Sequence, residues 1–543
     1  MKDFLDRAFV RTRLCRMIAV ASFLLTPSAG SFAQDTCEKL SQVTIPDAKI
    51  IFAKTIDAGT FAGPPTEGAG RDLTAPYKNV PAFCRVVVLA TPTADSNIRI
   101  EIWMPASGWN GKLQGIGNGG FAGMIDFVQL GAAVSKGYAA TGTDTGHSGS
   151  PIDASWAPGH PEKVIDFGHR GIHEMTRVAK EAAQAFYGKP PQHSYFAGCS
   201  DGGREALMEA QRYPADYDGI LAGAPANYWT ALLTTSAVDT QALTLDAASF
   251  IPQTKVPAIA AAVLAACDEL DGVRDGILND PRQCHFDPGK MQCKAGQNDD
   301  KCLTAAQVAA LKKIYAGPHD AGGHPFFPGY LPGAEDGEGG WGLWIFGPAP
   351  AKSLMAFFGN GYFSNMVYEN SDWDYKSFKL ESGYNAAQEK TAKALNSVDA
   401  DLGPFQKRGG KLILYHGWND PAIPALNTAN YYDNVVAKMG ESKVNSFLRL
   451  YMVPGMQHCD DGPGADSFGQ VGHLNFDDPQ HSVNAALDEW VVKGTAPGAI
   501  IASKVGADKQ HPTMTRPLCA YPQAAKYKGS GDTNDAASFV CQK

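Results

Sequence analysis

Five residues constrain this chain more than any others. Gly198-Cys199-Ser200-Asp201-Gly202 matches G-x-S-x-G. It sits between a short buried-strand pattern, residues 194–197, and a helical pattern, residues 205–213, that Pro214 ends. Alone, such a pentapeptide recurs by chance, or marks a glycine-rich turn with a capping serine. Between a strand and a helix it describes a sharp turn whose small flanking residues tolerate a strained serine and lift its hydroxyl above the edge of a sheet. Strands that pass into helices in this way build a mostly parallel sheet with helices on both faces.

The surrounding sequence repeats the alternation. Residues 98–104, 112–116, 137–143 and 217–222 read as strands. Residues 171–187 carry Ile172, Met175, Val178, Ala182 and Phe186 at helical spacing. The pattern stops after Trp229 and resumes with a strand at 411–415, a helix at 425–439 and a strand at 447–453. The expected organisation is a sheet domain in two parts, 34–229 and 403–543, interrupted by a large inserted lid at 230–402.

A serine hydroxyl is a poor nucleophile at neutral pH and needs a base, and an acid to orient that base. Asp420, in H-G-W-N-D-P, follows the strand at 411–415, and His458, in P-G-M-Q-H-C, follows the strand at 447–453. These positions fall at the C-terminal ends of neighbouring strands, where a parallel sheet assembles its site. His416, the rival base, lies near the end of a strand and reads as structural or supporting. His147, in T-D-T-G-H-S-G, is expected at the cleft mouth. The tetrahedral intermediate of acyl transfer needs N–H donors. One is expected from Asp201, the other from the run G-N-G-G-F-A-G at 117–123, with Gly120 preferred over Gly119. Bringing Ser200 to His458 also brings their neighbours together, so a Cys199–Cys459 disulfide is expected.

The first 33 residues are expected to be a signal peptide. Five basic residues open them, a short apolar run spans 17–25, and small residues stand at 31 and 33. No later run reads as long and apolar enough to span a membrane. After Cys15 leaves with the leader, the even number of cysteines remaining suits disulfides in an exported chain, periplasmic or extracellular. The net charge of −9 argues against a nucleic-acid partner, which requires a basic surface. Nine Trp, 19 Tyr and 26 Phe argue against disorder over most of the chain.

Taken together, C-S-D-G-G, the distant Asp420 and H-C resemble the tannase and feruloyl esterase family of α/β-hydrolases. P-G-M-x-H-C-x-x-G-P-G and the tail R-P-L-C-x-Y-P-x-x-A-x-Y-x-G-S-G-D extend the resemblance over nearly the whole chain after the leader. It implies the α/β-hydrolase fold with a large inserted lid, a Ser200–Asp420–His458 triad and the Cys199–Cys459 bond. It further implies pairs Cys37–Cys84, Cys267–Cys284, Cys293–Cys302 and Cys519–Cys541. In the lid, C-D-E-L-D-G-V-R-D-G-I offers hard oxygen ligands suited to calcium without the spacing of an EF-hand. The resemblance implies Ca2+ held by the Asp268, Asp271 and Asp275 side chains and the Val273 and Ile277 carbonyls, and no organic cofactor.

Relatives in that family cleave galloyl, feruloyl and terephthaloyl esters. Lid aromatics Trp344, Phe357 and Phe358 are candidates for stacking on a planar acyl group. No Lys or Arg lies between Ser353 and Tyr375, so a neutral phenolic or hydroxycinnamic acid is favoured over a terephthalate monoester. The expected protein is an exported serine carboxylesterase acting on small aromatic esters. The alternatives are a terephthalate-monoester hydrolase, another acyl-transferring serine enzyme, and a calcium-stabilised binding protein without catalysis.

Overall fold

The computed structural model describes residues 37–64, 72–297, 299–473, 478–506 and 511–543. The expected leader lies outside the described residues. A nine-stranded sheet runs in the order β1-β2-β3-β5-β4-β6-β7-β8-β9. β1 (Ala48–Ile56), β2 (Phe83–Ala90) and β3 (Ile98–Pro105) form an antiparallel edge, and β3 also meets β5 antiparallel. β4 (Lys112–Ile116), β5 (Ala139–Thr143), β6 (His193–Cys199), β7 (Gly219–Gly223), β8 (Lys411–Gly417) and β9 (Leu448–Val453) run parallel to one another. All five residues of β7 are buried. That is how a parallel strand covered on both faces reads, as a continuous apolar run with no alternation.

Two cores lie on the two sides of this sheet. On one side α1 (Phe127–Ser135) and the helix Val483–Lys493 pack Phe127, Leu130, Leu487 and Trp490 inward. On the other, α2 (Gly171–Tyr187), α3 (Asp201–Arg212) and the helix Ala425–Met439 contribute Met175, Val178, Leu207, Tyr431 and Val435. The sheet thus extends the expected one by β1 and β2.

Between β7 and β8 the chain leaves the sheet. This insertion opens with α4 (Trp229–Thr244), continues through α5 (Val256–Cys267) and α6 (Leu354–Gly361), and has its own apolar core around Trp341, Ile345 and Phe346. One finding departs from the sequence reading. The helical run Ala247–Asp271 is long and apolar enough, by length and composition, to cross a membrane. It consists of α5 flanked by 3-10 turns, and Val256, Ile259, Val263 and Cys267 turn its stripe into the insertion. Among the described residues five disulfides form: Cys37–Cys84, Cys199–Cys459, Cys267–Cys284, Cys293–Cys302 and Cys519–Cys541.

Candidate active site

Ser200 stands where β6 ends and α3 begins, at φ 65° and ψ −119°. A side chain at positive φ costs on the order of 1–3 kcal/mol, and the surrounding bonds impose it. Ser200 N–H donates to Gly223 O at the end of β7 (3.0 Å), and Ser200 O accepts from Gly203, Arg204 and Ala226 N–H, each at 3.1 Å. The turn is too tight for a side chain at Gly198, where a Cβ would stand 2.3 Å from Gly202 O.

Asp420 and His458 follow the adjacent parallel strands β8 and β9. Asp420 is buried, and four donors surround its carboxylate. Oδ1 accepts from Ala422 N–H (2.7 Å) and Ile423 N–H (2.9 Å). Oδ2 faces His458 Nδ1 at 2.8 Å and His416 Nε2 at 3.1 Å. Burial pushes this carboxyl up, but the field of His458 and the hydrogen bonds from His416 and His458 outweigh burial and hold it below the usual carboxylate range. His416 is fully buried, and its other nitrogen meets Thr428 Oγ1 at 2.7 Å. Both of its nitrogens are thus occupied. His458, by contrast, has Nδ1 on Asp420 and, among the described residues, no hydrogen-bond partner at Nε2. The Cys199–Cys459 bond ties the residue before the serine to the residue after the histidine, Cα to Cα 6.1 Å.

A narrow cavity opens on Ser200. Asp201 and Gly120 line it, with Leu232, Leu233 and Ser236 of α4, and Trp344, Met355 and Phe358. The His458 ring meets Trp344 edge-on at 5.0 Å between centroids. Gly120 has φ +60°, and a Cβ there would lie 2.2 Å from Pro151 O, so the loop passes the site only as glycine. Among the described residues, neither Asp201 N–H nor Gly120 N–H is taken up by another acceptor. Gly119 is not part of the lining.

Several expectations change. Phe357 does not line the cavity: it is 38% exposed, and Lys352 Nζ stands over its ring. Neighbouring helical residues point about 100° apart, so α6 turns Phe358 toward the cavity and Phe357 outward. His147 is buried and does not sit at a cleft mouth. It stacks on Trp156 at 3.8 Å, its Nε2 meets Phe121 O at 2.8 Å, and burial lowers its pKa to about 4. The α4 contacts went unread in the sequence. The signal available was a helix start apolar all round, W-T-A-L-L, as a helix covered on both sides must be.

The acidic loop after α5 is compact. Asp268 Oδ1 accepts from Gly276 N–H, Asp271 from Val273 and Asn279 N–H, and Asp275 Oδ1 from Ile277 N–H. Burial first, with repulsion from Asp275, raises the Asp268 pKa, and burial with repulsion from Asp275 and Asp268 raises that of Asp271. Asp275 Oδ2 accepts from Arg516 at 2.8 Å. Among the described residues no three acidic, His or Cys side chains converge as a ready ligand set. The oxygen donors nevertheless suit a hard cation, and mutual repulsion between carboxylates is what such an ion relieves.

The family model for tannase and feruloyl esterase matches residues 84–542. An uncharacterized esterase of Xanthomonas campestris pv. campestris is 38% identical over 97% of this chain and 94% of its own. A probable feruloyl esterase B of Aspergillus clavatus is 31% identical over 96% of this chain and 99% of its own. The crystal structure of feruloyl esterase B from Aspergillus oryzae matches with a TM-score of 0.84 at 28% identity, over 94% of this chain and 100% of the other. The sheet order, the strained serine turn and these likenesses agree: the chain belongs to the tannase and feruloyl esterase family and is a carboxylic ester hydrolase on the α/β-hydrolase fold.

Proposed function

We propose that the protein is an exported serine carboxylesterase that cleaves esters of neutral aromatic acids, feruloyl (hydroxycinnamoyl) or galloyl, through an acyl-enzyme. The observation that carries this reading is the cavity on Ser200, walled by Trp344, Phe358 and Leu232. Among the described residues Asp201 is the only ionisable one lining it, and Arg204 Nε engages that carboxylate at 2.6 Å. Among the described residues nothing cationic lines the cavity to meet a second carboxylate, so a terephthalate monoester is the poorer fit. Five disulfides support export, because such bonds persist in oxidising compartments.

In this mechanism Ser200 Oγ attacks the ester carbonyl and its proton passes to His458 Nε2. Asp420 holds the imidazole through Nδ1 and stabilises its positive charge. Asp201 and Gly120 N–H groups receive the oxyanion. His458 then protonates the departing alkoxide. Water, deprotonated by His458, attacks the acyl-serine and releases the acid.

The test is labelling of Ser200 by a fluorophosphonate, followed by kinetics on methyl ferulate, methyl gallate and a terephthalate monoester. The expected kcat/KM is at least about tenfold higher for the better of the two neutral esters, the order of one lost charged contact. A terephthalate ester turned over as well would overturn the acyl preference. Failure to label Ser200 in folded protein would overturn the serine mechanism and favour a binding protein.

We further propose that Asp268, Asp271, Asp275 and the Val273 and Ile277 carbonyls hold a structural Ca2+. Arg516, the present partner of Asp275, belongs to the C-terminal strand Pro512–Leu518, so the ion would join the insertion to that segment. An ion bound only by the folded state stabilises it by RT ln(1 + [L]/Kd), about 2.7 kcal/mol at a hundredfold excess over Kd. Chelation should therefore lower the melting temperature while leaving turnover of the still-folded enzyme little changed. An unchanged midpoint, with no calcium in metal analysis, would remove the site.

A further inference from the structure

Directly beneath the nucleophile, α3 buries a row of acids. Asp201, Glu205 and Glu209 follow one another at helical spacing, each 1% exposed. Arg204 serves the first: its Nε donates to Asp201 Oδ1, while its other nitrogens donate to Gly168 O and Phe167 O. Glu205 has a different neighbour. Its Oε2 accepts from Asn118 N–H at 2.9 Å, and among the described residues its Oε1 has no hydrogen-bond partner. Burial, and then the charge of Asp201, push the Glu205 pKa well above its ordinary value, and one of its oxygens is fixed on the loop.

Asn118 opens the segment that carries Gly120. It is bound twice to α3, since Gly202 N–H donates to Asn118 O at 2.8 Å while Asn118 N–H donates to Glu205. Its side chain donates to Met124 O and Thr143 O. The far end of the segment is held at Phe121, whose N–H donates to Pro151 O at 2.7 Å and whose carbonyl meets His147 Nε2 at 2.8 Å. Only Gly119 and Gly120 lie between these anchors.

We propose that Glu205 is a positioning residue that sets the Gly120 N–H against the Asp201 N–H by holding Asn118 on the nucleophile helix. It touches no substrate and acts through the loop backbone. The inference rests on the oxyanion reading above. Losing an oxyanion donor outright costs about 10²–10³ in kcat, so loosening one should cost roughly 10–100-fold.

The experiment compares Glu205→Gln, Glu205→Leu and Glu205→Met, the last a second apolar variant in case the leucine form fails to fold. Glutamine keeps a neutral carbonyl to accept from Asn118 and should stay within about threefold of wild type. The apolar variants should lose roughly 10–100-fold in kcat with KM within about threefold. Phenylboronic acid, which forms a tetrahedral adduct on the serine, should bind the apolar variants more weakly by the same factor as kcat/KM, whereas benzoate should bind unchanged. Three results would each overturn the inference: undiminished kcat in a folded apolar variant, a glutamine variant as impaired as the leucine one, or boronate and benzoate affinities falling together. Ser200→Ala run alongside separates the two levels. If it stays active, the serine reading fails. If it is inactive while folded Glu205→Leu keeps an undiminished kcat, only the role of Glu205 fails.

Discussion

Ser200→Ala is expected to reduce ester hydrolysis by at least about 10⁴-fold, leaving only what the oxyanion donors and the pocket supply without a nucleophile. The fold should not change. Alanine at φ 65° carries the same backbone strain as serine, and the bonds that impose this conformation all involve main-chain atoms. The melting temperature should therefore stay within a few degrees of wild type and the substrate Kd should be little altered. Steady-state and single-turnover kinetics with thermal unfolding check this. Activity above about one per cent in a variant free of revertant enzyme would exclude Ser200 as the nucleophile.

Asp420→Asn should cost about 10⁴-fold in kcat, for a reason specific to this carboxylate's surroundings. Ala422 and Ile423 N–H groups both donate to Oδ1, so an asparagine must place its carbonyl oxygen there. Its NH2 then takes the position of Oδ2, facing His458 Nδ1 and His416 Nε2. His458 can accept from that NH2 only by shifting its proton to Nε2, which removes the lone pair needed by Ser200. His416 has an alternative acceptor in Ile423 O at 3.1 Å, so the stability loss should be moderate beside the catalytic loss. Kinetics and melting curves on the same preparation read both effects. A variant retaining a hundredth of wild-type kcat would mean that another group orients the base.

Much of the parallel sheet can be read from the chain because its strands are buried on both faces and its helices are amphipathic. The reading of residues 112–116 and 171–187 coincides with β4 and α2. β1 was harder to see. It is an edge strand with Ile51 and Phe52 exposed, so its apolar residues do not sort by face. The C-terminal strands pair in twos and include Pro512 and Pro517, which weakens any periodic signal. α3 begins at Asp201, a full turn before the start expected from propensity. Gly202 and Gly203 read as turn residues, yet they let the helix pass close to Asn118 O and Gly223 O. Ser200, Asp420 and His458 were legible because each follows a strand. Glu205 was not, since acids at helical spacing ordinarily mark a solvated face, and only the packing of α3 under the loop at 117–123 reveals that this one is buried.

The bond between Cys199 and Cys459 gives this hydrolase a dependence on place and time. It closes a span of 260 residues, so the ribosome delivers the serine long before it delivers the histidine that must meet it. In a reducing compartment the two strand ends would be held together only by the packing of the sheet. Covalent closure waits for an oxidising one. Maturation of the active site is thereby tied to the redox conditions the chain encounters, as well as to completion of its synthesis. With the export proposed above, covalent closure of the site would follow departure from the compartment where the chain is made, which would keep the finished catalyst from the esters there.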